Sequence, residues 1–242
     1  MISTPRANGV RLLLTPMIVA AGIGVAWLVF FSLSFNDVDV YILNRAFLQD
    51  RFIRHCELVG ISFAIAAAIG LPLGVLLARA GRWLRIPVFV VANLGQAVPS
   101  IGILVLFYAF FGLGVRPTVF ALVLYSLLPI LRNTMVGIQG VDPAATEAGR
   151  GMGMTSLQTL LRVEVPLAAP VIFAGLRTSL VLIIGTATLG NYVGGGGLGD
   201  VIATGIDRSD RIVFVGAVMV ASLALLADWA LSLVERALTP SV

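Results

Sequence analysis

The sequence predicts an all-α integral membrane protein with six transmembrane helices. Three observations carry that prediction. Of 242 residues, 59% are hydrophobic and only 12% charged, where a soluble domain has about 45–50% apolar and about 25% charged residues. The mean hydropathy is +1.03. The apolar residues also fall into runs of about 20, long enough to cross the hydrocarbon core as helices.

The six runs are 12–35, 57–78, 86–112, 117–139, 166–190 and 212–234. The first follows MISTPRANGVR, but it is about twice the length of a secretory h-region and no small-residue cleavage site follows it, so it reads as a first span. The third is interrupted by NLGQAVPSIG, in which Gln96, Pro99 and Ser100 break the apolar pattern. Irregular backbone at membrane depth is tolerated only against protein or a water-filled cavity, so this break is expected to face the inside of an assembly. No repeat, low-complexity tract or linker divides the chain, and 1–242 reads as one transmembrane domain.

Arginine placement orients the spans. Arg6 and Arg11 precede the first, Arg79, Arg82 and Arg85 crowd the loop after the second, Arg150 and Arg162 lie between the fourth and fifth, and Arg236 follows the sixth. The opposite loops, 36–56 and 191–211, carry arginines diluted by Asp37, Asp39, Asp50, Asp200, Asp207 and Asp210. The positive-inside rule then puts both termini and residues 141–166 in the cytoplasm.

Composition excludes several functions. One cysteine (Cys56) and one histidine (His55) argue against a disulfide framework and a multi-ligand metal site. The chain has no lysine, which removes the P-loop lysine and Schiff-base chemistry. The net charge of +4 is spread without a basic stripe, so it follows topology rather than nucleic-acid binding. No catalytic constellation stands out, and an intramembrane enzyme is disfavoured. An ion-coupled transporter would show acidic or histidine relays within the spans, and here Asp228 is the one convincing intramembrane acid, near an edge.

The cytoplasmic loop VDPAATEAGRGMGMTSLQTLLRVEVP (141–166) is polar and rich in small residues. Asp142-Pro143 is a helix start, a capping carboxylate before a proline at the first helical position. A short helix from Pro143 to Arg150 should break at Gly151 and Gly153. Thr155 with Gln158 forms a capping-box signature for a second short helix ending near Pro166. The first helix, with Ala144, Ala145, Ala148 and Gly149 and the polar handles Glu147 and Arg150, is either a knob for a groove on a partner or a solvated linker.

These residues carry a resemblance. Glu147-Ala148-Gly149, Gly153 and Val163-x-Val165-Pro166 match in spacing the EAA loop of bacterial ABC importer permeases: E-A-A, three residues, Gly, nine residues, I-x-L-P. Gly149 replaces the second alanine, and valines replace isoleucine and leucine. Further stretches (NLGQAVPS, LLPILRNTMVGIQGVDP, VPLAAPVIFAGLRTS, GGGGLGDVIATGI) are similar to the subgroup importing quaternary-ammonium osmoprotectants such as glycine betaine, choline and carnitine, over residues 50–235. Methionine and other small-solute permeases share parts of the pattern.

The resemblance implies a type I ABC importer permease in the bacterial cytoplasmic membrane, non-catalytic, in which Glu147, Ala148, Gly149, Gly153 and Pro166 belong to a coupling helix that docks on the ATPase. The implied partners are cytoplasmic ATP-binding subunits, which use ATP and Mg, a second permease (identical or paralogous), an extracytoplasmic solute-binding protein and membrane lipids. This subunit would bind no cofactor, metal or nucleic acid itself. The glycine-rich 190–199 becomes a re-entrant loop or a flexible one. Asn191, Gly195 and Gly196, with Gln96, Pro99 and Ser100, are its candidate path or gate residues.

Further intramembrane polar residues need an explanation. Arg177 and Asp228 fall at similar depth in the inner half of the bilayer and are expected to pair or to snorkel separately. Arg132-Asn133-Thr134 are expected to make helix–helix hydrogen bonds. Met135, Met152 and Met154 read as packing, and Trp27, Trp83 and Trp229 as interfacial or packing residues.

Overall fold

The structure, a computed structural model, describes residues 17, 18, 20–25, 28, 32 and 42–238. Most of the predicted first span, with Arg6, Arg11, Trp27, Asp37 and Asp39, lies outside these residues. Among the described residues all regular structure is helical.

Helix α1 (Arg45–Arg79) starts at Asn44, whose Oδ1 accepts from the Phe47 N–H at 2.9 Å. It spans about 50 Å at 1.5 Å per residue, three turns longer at its start than the apolar run predicts. Helices α2 (Arg82–Ala97) and α3 (Ser100–Phe111) form the third run, broken where NLGQAVPSIG predicts, and meet at 104°. The cause is Pro99, which lacks an N–H and holds Val98 extended (φ −78°, ψ 133°).

Helix α4 (Val115–Gln139) leads to α5 (Pro143–Gly151) and α6 (Ser156–Thr159). Helix α6 does not end near Pro166 as the sequence suggested. A π-helical turn, Leu160–Glu164, joins it to α7 (Val165–Ala187), with Val165 N–H reaching Leu160 O. The wider turn takes up the backbone just before a proline that donates no hydrogen bond. A 3₁₀ turn (Thr188–Val193), α8 (Leu198–Ile206) and α9 (Asp210–Leu238) complete the chain.

Helix α4 is the centre, packed by α1, α2, α3 and α7. Over half of its most apolar stretch is buried (56%), against 11% for α9. Small residues set the close approach. A Cβ on Gly74 of α1 would lie 2.6 Å from Thr134 Cβ, and one on Gly175 of α7 would lie 2.8 Å from Pro129 O. Apolar tails in lipid gain little by meeting, so backbone proximity and interhelical hydrogen bonds carry such packing.

The two ends of the bundle are distinct. The last turns of α1 and α4 meet where Gln139 Nε2 donates to Ala78 O (3.0 Å), and Arg79 reaches Glu164 of the 141–166 loop. At the other end Gly114 N–H, at the start of α4, donates to Val193 O (2.7 Å). The chain therefore enters α2 at one end and leaves α3 at the other, so the bent pair crosses once. Counted with α1, α4, α7 and α9, it gives five segments long and apolar enough to cross a membrane among the described residues.

Candidate functional site

The 141–166 loop is built as local chemistry dictates. Asp142 Oδ1 accepts from Ala144 N–H (2.9 Å) with Pro143 at the first helical position. The capping box is complete, with Gln158 N–H to Thr155 Oγ1 at 3.3 Å and Thr155 N–H to Gln158 Oε1 at 2.8 Å. The corner needs Gly153, whose φ is +84°. Glu147 and Ala148 are exposed, while Gly149 is buried beneath them. A Cβ on Gly149 would sit 3.5 Å from Met154 Sδ and Val163 Cγ2, ordinary contact, so alanine fits there too. Met152, Leu157 and Leu161 stand 72%, 64% and 59% exposed on the same loop. Pro166 lies in the first turn of α7.

One contact in this loop escaped the sequence reading. Arg79 Nη2 bonds both carboxylate oxygens of Glu164, at 2.9 and 2.7 Å, and Glu164 is buried. The signal was present: a lone carboxylate between valines at the mouth of a span needs a partner.

At the opposite end the glycine-rich segment is packed rather than loose. Gly190, Val193, Gly195, Leu198 and Gly199 are buried. A Cβ on Gly190 would meet Thr118 Cγ2 at 2.7 Å, and one on Gly195 would overlap Thr118 Oγ1. Gly194, Gly196 and Gly197 have positive φ, which only glycine adopts without strain. Asn191 O accepts from Gly194 N–H (3.0 Å) inside the turn.

Three consecutive functional groups of α1 hold this segment. Arg51 Nη1 pairs with Asp200 Oδ2 at 2.7 Å, and Arg54 Nε donates to Gly195 O at 3.2 Å. Burial pushes the Asp200 carboxyl above its usual range; the Arg51 charge opposes that rise and the Asp50 charge adds to it. His55, fully buried, accepts at Nδ1 from Leu198 N–H (3.4 Å), which assigns the ring proton to Nε2, 3.1 Å from Ile184 O. One neutral imidazole thus serves an unpaired carbonyl at the end of α7 and an unpaired N–H at the start of α8.

At the α2–α3 break the candidate gate residue Gln96 has a structural role in the packing of α2 on α4. Pro129 in α4 has no N–H, so Tyr125 O loses its donor four residues on. Gln96 Nε2 supplies one across the helix interface at 3.1 Å, and Ser179 Oγ of α7 donates to the adjacent Ser126 O at 3.0 Å. Pro99 and Ser100 sit at the start of α3, whose Ile103 and Leu104 pack with Leu189 and Val193. The six candidate path residues therefore form two structural nodes on neighbouring elements.

Arg177 and Asp228 meet side-on, with Nε–Oδ1 and Nη2–Oδ2 both 2.7 Å and Glu235 Oε2 3.6 Å from Nη1. Asn133 and Thr134 depart from the expected cross-helix bonding. Asn133 Nδ2 donates within its own helix to Pro129 O (2.9 Å), and Thr134 packs its Cβ and Cγ2 on Gly74 while its buried Oγ1 makes no hydrogen bond. The closeness of Gly74 and Gly175 leaves room for packing only.

Exposed side chains divide the outer surface. On α1 they are apolar from Ile61 to Leu76, and on α9 they run through Ala217, Ala221, Leu225, Leu226 and Ala230. Exposed Asn93, Arg132 and Thr178 instead fall on α2, α4 and α7.

Residues 70–240 match the family model described as binding-protein-dependent transport system inner membrane component. The chain is 43% identical over 208 residues to the carnitine transport permease protein OpuCD of Listeria monocytogenes, covering 84% of this chain and 92% of the relative. It is 43% identical over 211 residues to the osmoprotectant import permease protein OsmW of Salmonella typhimurium, covering 84% and 98%. The fold matches the inward-facing MetNI methionine ABC transporter with a TM-score of 0.73 at 24% identity, over 85% of this chain and all of that one.

Proposed function

This chain belongs to the family of binding-protein-dependent transport inner membrane components, and from that premise we propose that it carries a quaternary-ammonium osmoprotectant into the cell. The family makes it a multi-pass permease subunit of an ABC importer, one that moves solute and leaves ATP hydrolysis to another subunit. Support for the substrate class comes from relatives of about 43% identity whose names specify carnitine and osmoprotectants. The likeness to the methionine transporter speaks for the fold alone.

In this reading two permease subunits, identical or paralogous, sit on two ATPases that bind ATP and Mg, and an extracytoplasmic binding protein delivers the solute. The arginine-rich end, with residues 141–166 and both termini, faces the cytoplasm. The observation that carries the reading is the loop itself. A short helix capped at both ends presents Glu147 and Ala148 on a bare surface, flanked by exposed Met152, Leu157 and Leu161. Small side chains admit a close partner surface, and exposed apolar groups outside the membrane mark a protein contact. The apolar faces of α1 and α9 suit lipid. Exposed Arg132 on α4 suits a wet path between subunits, because an arginine facing lipid costs about 2.5–3.5 kcal/mol on insertion scales.

The test is recovery of the ATPase on tagged permease at matched expression, together with uptake of labelled choline, glycine betaine and carnitine. Ala148→Arg should lose the ATPase and all uptake while still inserting normally. Equal recovery with undiminished uptake removes the docking role. Wild-type uptake of none of the three solutes removes the substrate reading.

A further inference from the structure

We propose that Glu164 and Arg79 are positioning residues for transport: their ion pair fastens the cytoplasmic loop to α1 and makes α1 the rod that carries loop movement to the glycine segment at the far end of the bundle. The inference rests on the docking role proposed above for 141–166, and goes beyond it by naming where the movement enters the spans.

The near end of α1 is tied into three other elements. Arg79 Nη2 touches both oxygens of buried Glu164. The helix's final carbonyls, which have no intrahelical donors, are served from outside: Arg85 Nε donates to Leu77 O and Arg85 Nη2 to Ala78 O, both at 2.8 Å, and Gln139 Nε2 donates to Ala78 O at 3.0 Å. Of these contacts the Glu164 pair alone reaches the loop. It enters at the π-helical turn, just past the exposed surface of α5 and α6.

The far end of α1 grips the glycine segment through Arg51, Arg54 and His55. Arg54 and Arg79 are 25 residues apart on one helix, about 37 Å at 1.5 Å per residue. A continuous helix passes displacement along its axis, whereas the α2–α3 route is broken by a 104° bend. A buried carboxylate with one cationic partner also resists separation, because pulling it away strands a charge in an apolar setting. The loop therefore cannot move far without taking the end of α1 with it.

The experiment compares purified permease–ATPase complexes in proteoliposomes, reading three quantities: ATPase recovered, ATP hydrolysis stimulated by solute-loaded binding protein, and solute moved per ATP. Glu164→Gln and Arg79→Gln should keep ATPase recovery within twofold of wild type and lose at least fivefold in solute moved per ATP. A single nitrogen makes both contacts, so Arg79→Lys should keep most of the coupling, and the exchange Arg79→Glu with Glu164→Arg should regain part of it. Arg79, the more exposed partner, carries the test if Glu164 variants fail to reach the membrane. Unchanged solute per ATP in Arg79→Gln overturns the proposal. So does loss of the ATPase itself in Arg79→Gln and Arg79→Lys alike, since the pair would then serve docking or folding. Failure of the wild-type permease to bind an ATPase instead overturns the docking role on which the proposal stands.

Discussion

Gln96 separates two accounts of the α2–α3 break, and one substitution cycle distinguishes them. The structure commits its amide to Tyr125 O at 3.1 Å, the carbonyl that Pro129 leaves without a donor. Gln96→Leu keeps the bulk and removes the donor. Interhelical hydrogen bonds in membranes are worth about 0.6 kcal/mol on average and up to about 1.7, while an unpaired buried carbonyl costs about 1–3 kcal/mol. Gln96 is half-buried, so the expected loss is about 1–2 kcal/mol, which for a chain of this length lowers the melting temperature by about 2–8 °C.

Pro129→Ala restores an N–H to position 129, four residues beyond Tyr125. In that background Gln96→Leu should cost less than about 0.5 kcal/mol, because the carbonyl no longer depends on Gln96. The coupling energy should then be about 1 kcal/mol, above the scatter of independent sites. Thermal unfolding of the four purified proteins in one detergent gives the cycle directly. Equal loss in both backgrounds refutes the reasoning. So does abolished uptake with unchanged melting, the signature of a glutamine that meets solute.

Three further outcomes follow from the packing. Gly190→Ala should cost about 1–3 kcal/mol, since its Cβ would lie 2.7 Å from Thr118 Cγ2, and Thr118→Ala in the same chain should recover most of the melting temperature. Gly149→Ala should be neutral or stabilise by up to about 1 kcal/mol because its Cβ meets only 3.5 Å contacts, whereas Gly153→Asp at φ +84° should strain the corner and reduce ATPase recovery. Arg177→Gln should harm assembly more than Asp228→Asn, since the first leaves two carboxylates facing each other and the second leaves Arg177 with Glu235 at 3.6 Å. Both losses should fall below the roughly 3–5 kcal/mol of a fully buried pair, as both side chains are about a third exposed. Melting of the two variants measures the order.

What could be read from the sequence was local. The apolar runs at α1, α4, α7 and α9, the Asp142-Pro143 start, the Thr155–Gln158 box and the glycine corner each follow from residues within a few positions of one another. The depth of Arg177 and Asp228 needed only helix rise, and their side chains meet at 2.7 Å. The illegible part depends on which helix ends become neighbours. His55 is a lone imidazole in the sequence; its role appears only when the end of α7 and the start of α8 converge on it, 129 and 143 residues away. Arg51 and Arg54 are two more arginines of the 36–56 loop in the sequence, and their partners Asp200 and Gly195 O are equally remote.

Gln96 marks the boundary between the two kinds of knowledge. A proline inside a predicted span states in advance that the carbonyl four residues before it has no helical donor, and lipid offers none. The sequence therefore announces an unmet acceptor at Tyr125 and, 29 residues earlier, an amide in an apolar stretch with no local partner. Each alone looks like a functional polar group; only the pairing of α2 with α4 turns both into structure. The same accounting applies to Glu164 and Arg79, where a buried carboxylate and a helix-end guanidinium each lack a local partner. An intramembrane polar side chain in such a permease is best matched first against the orphaned groups that prolines and helix ends create. Asn93 and Thr178 bond back to Phe89 O and Ala174 O of their own helices, which leaves exposed Arg132, of the three, as the polar side chain that finds no such match among the described residues.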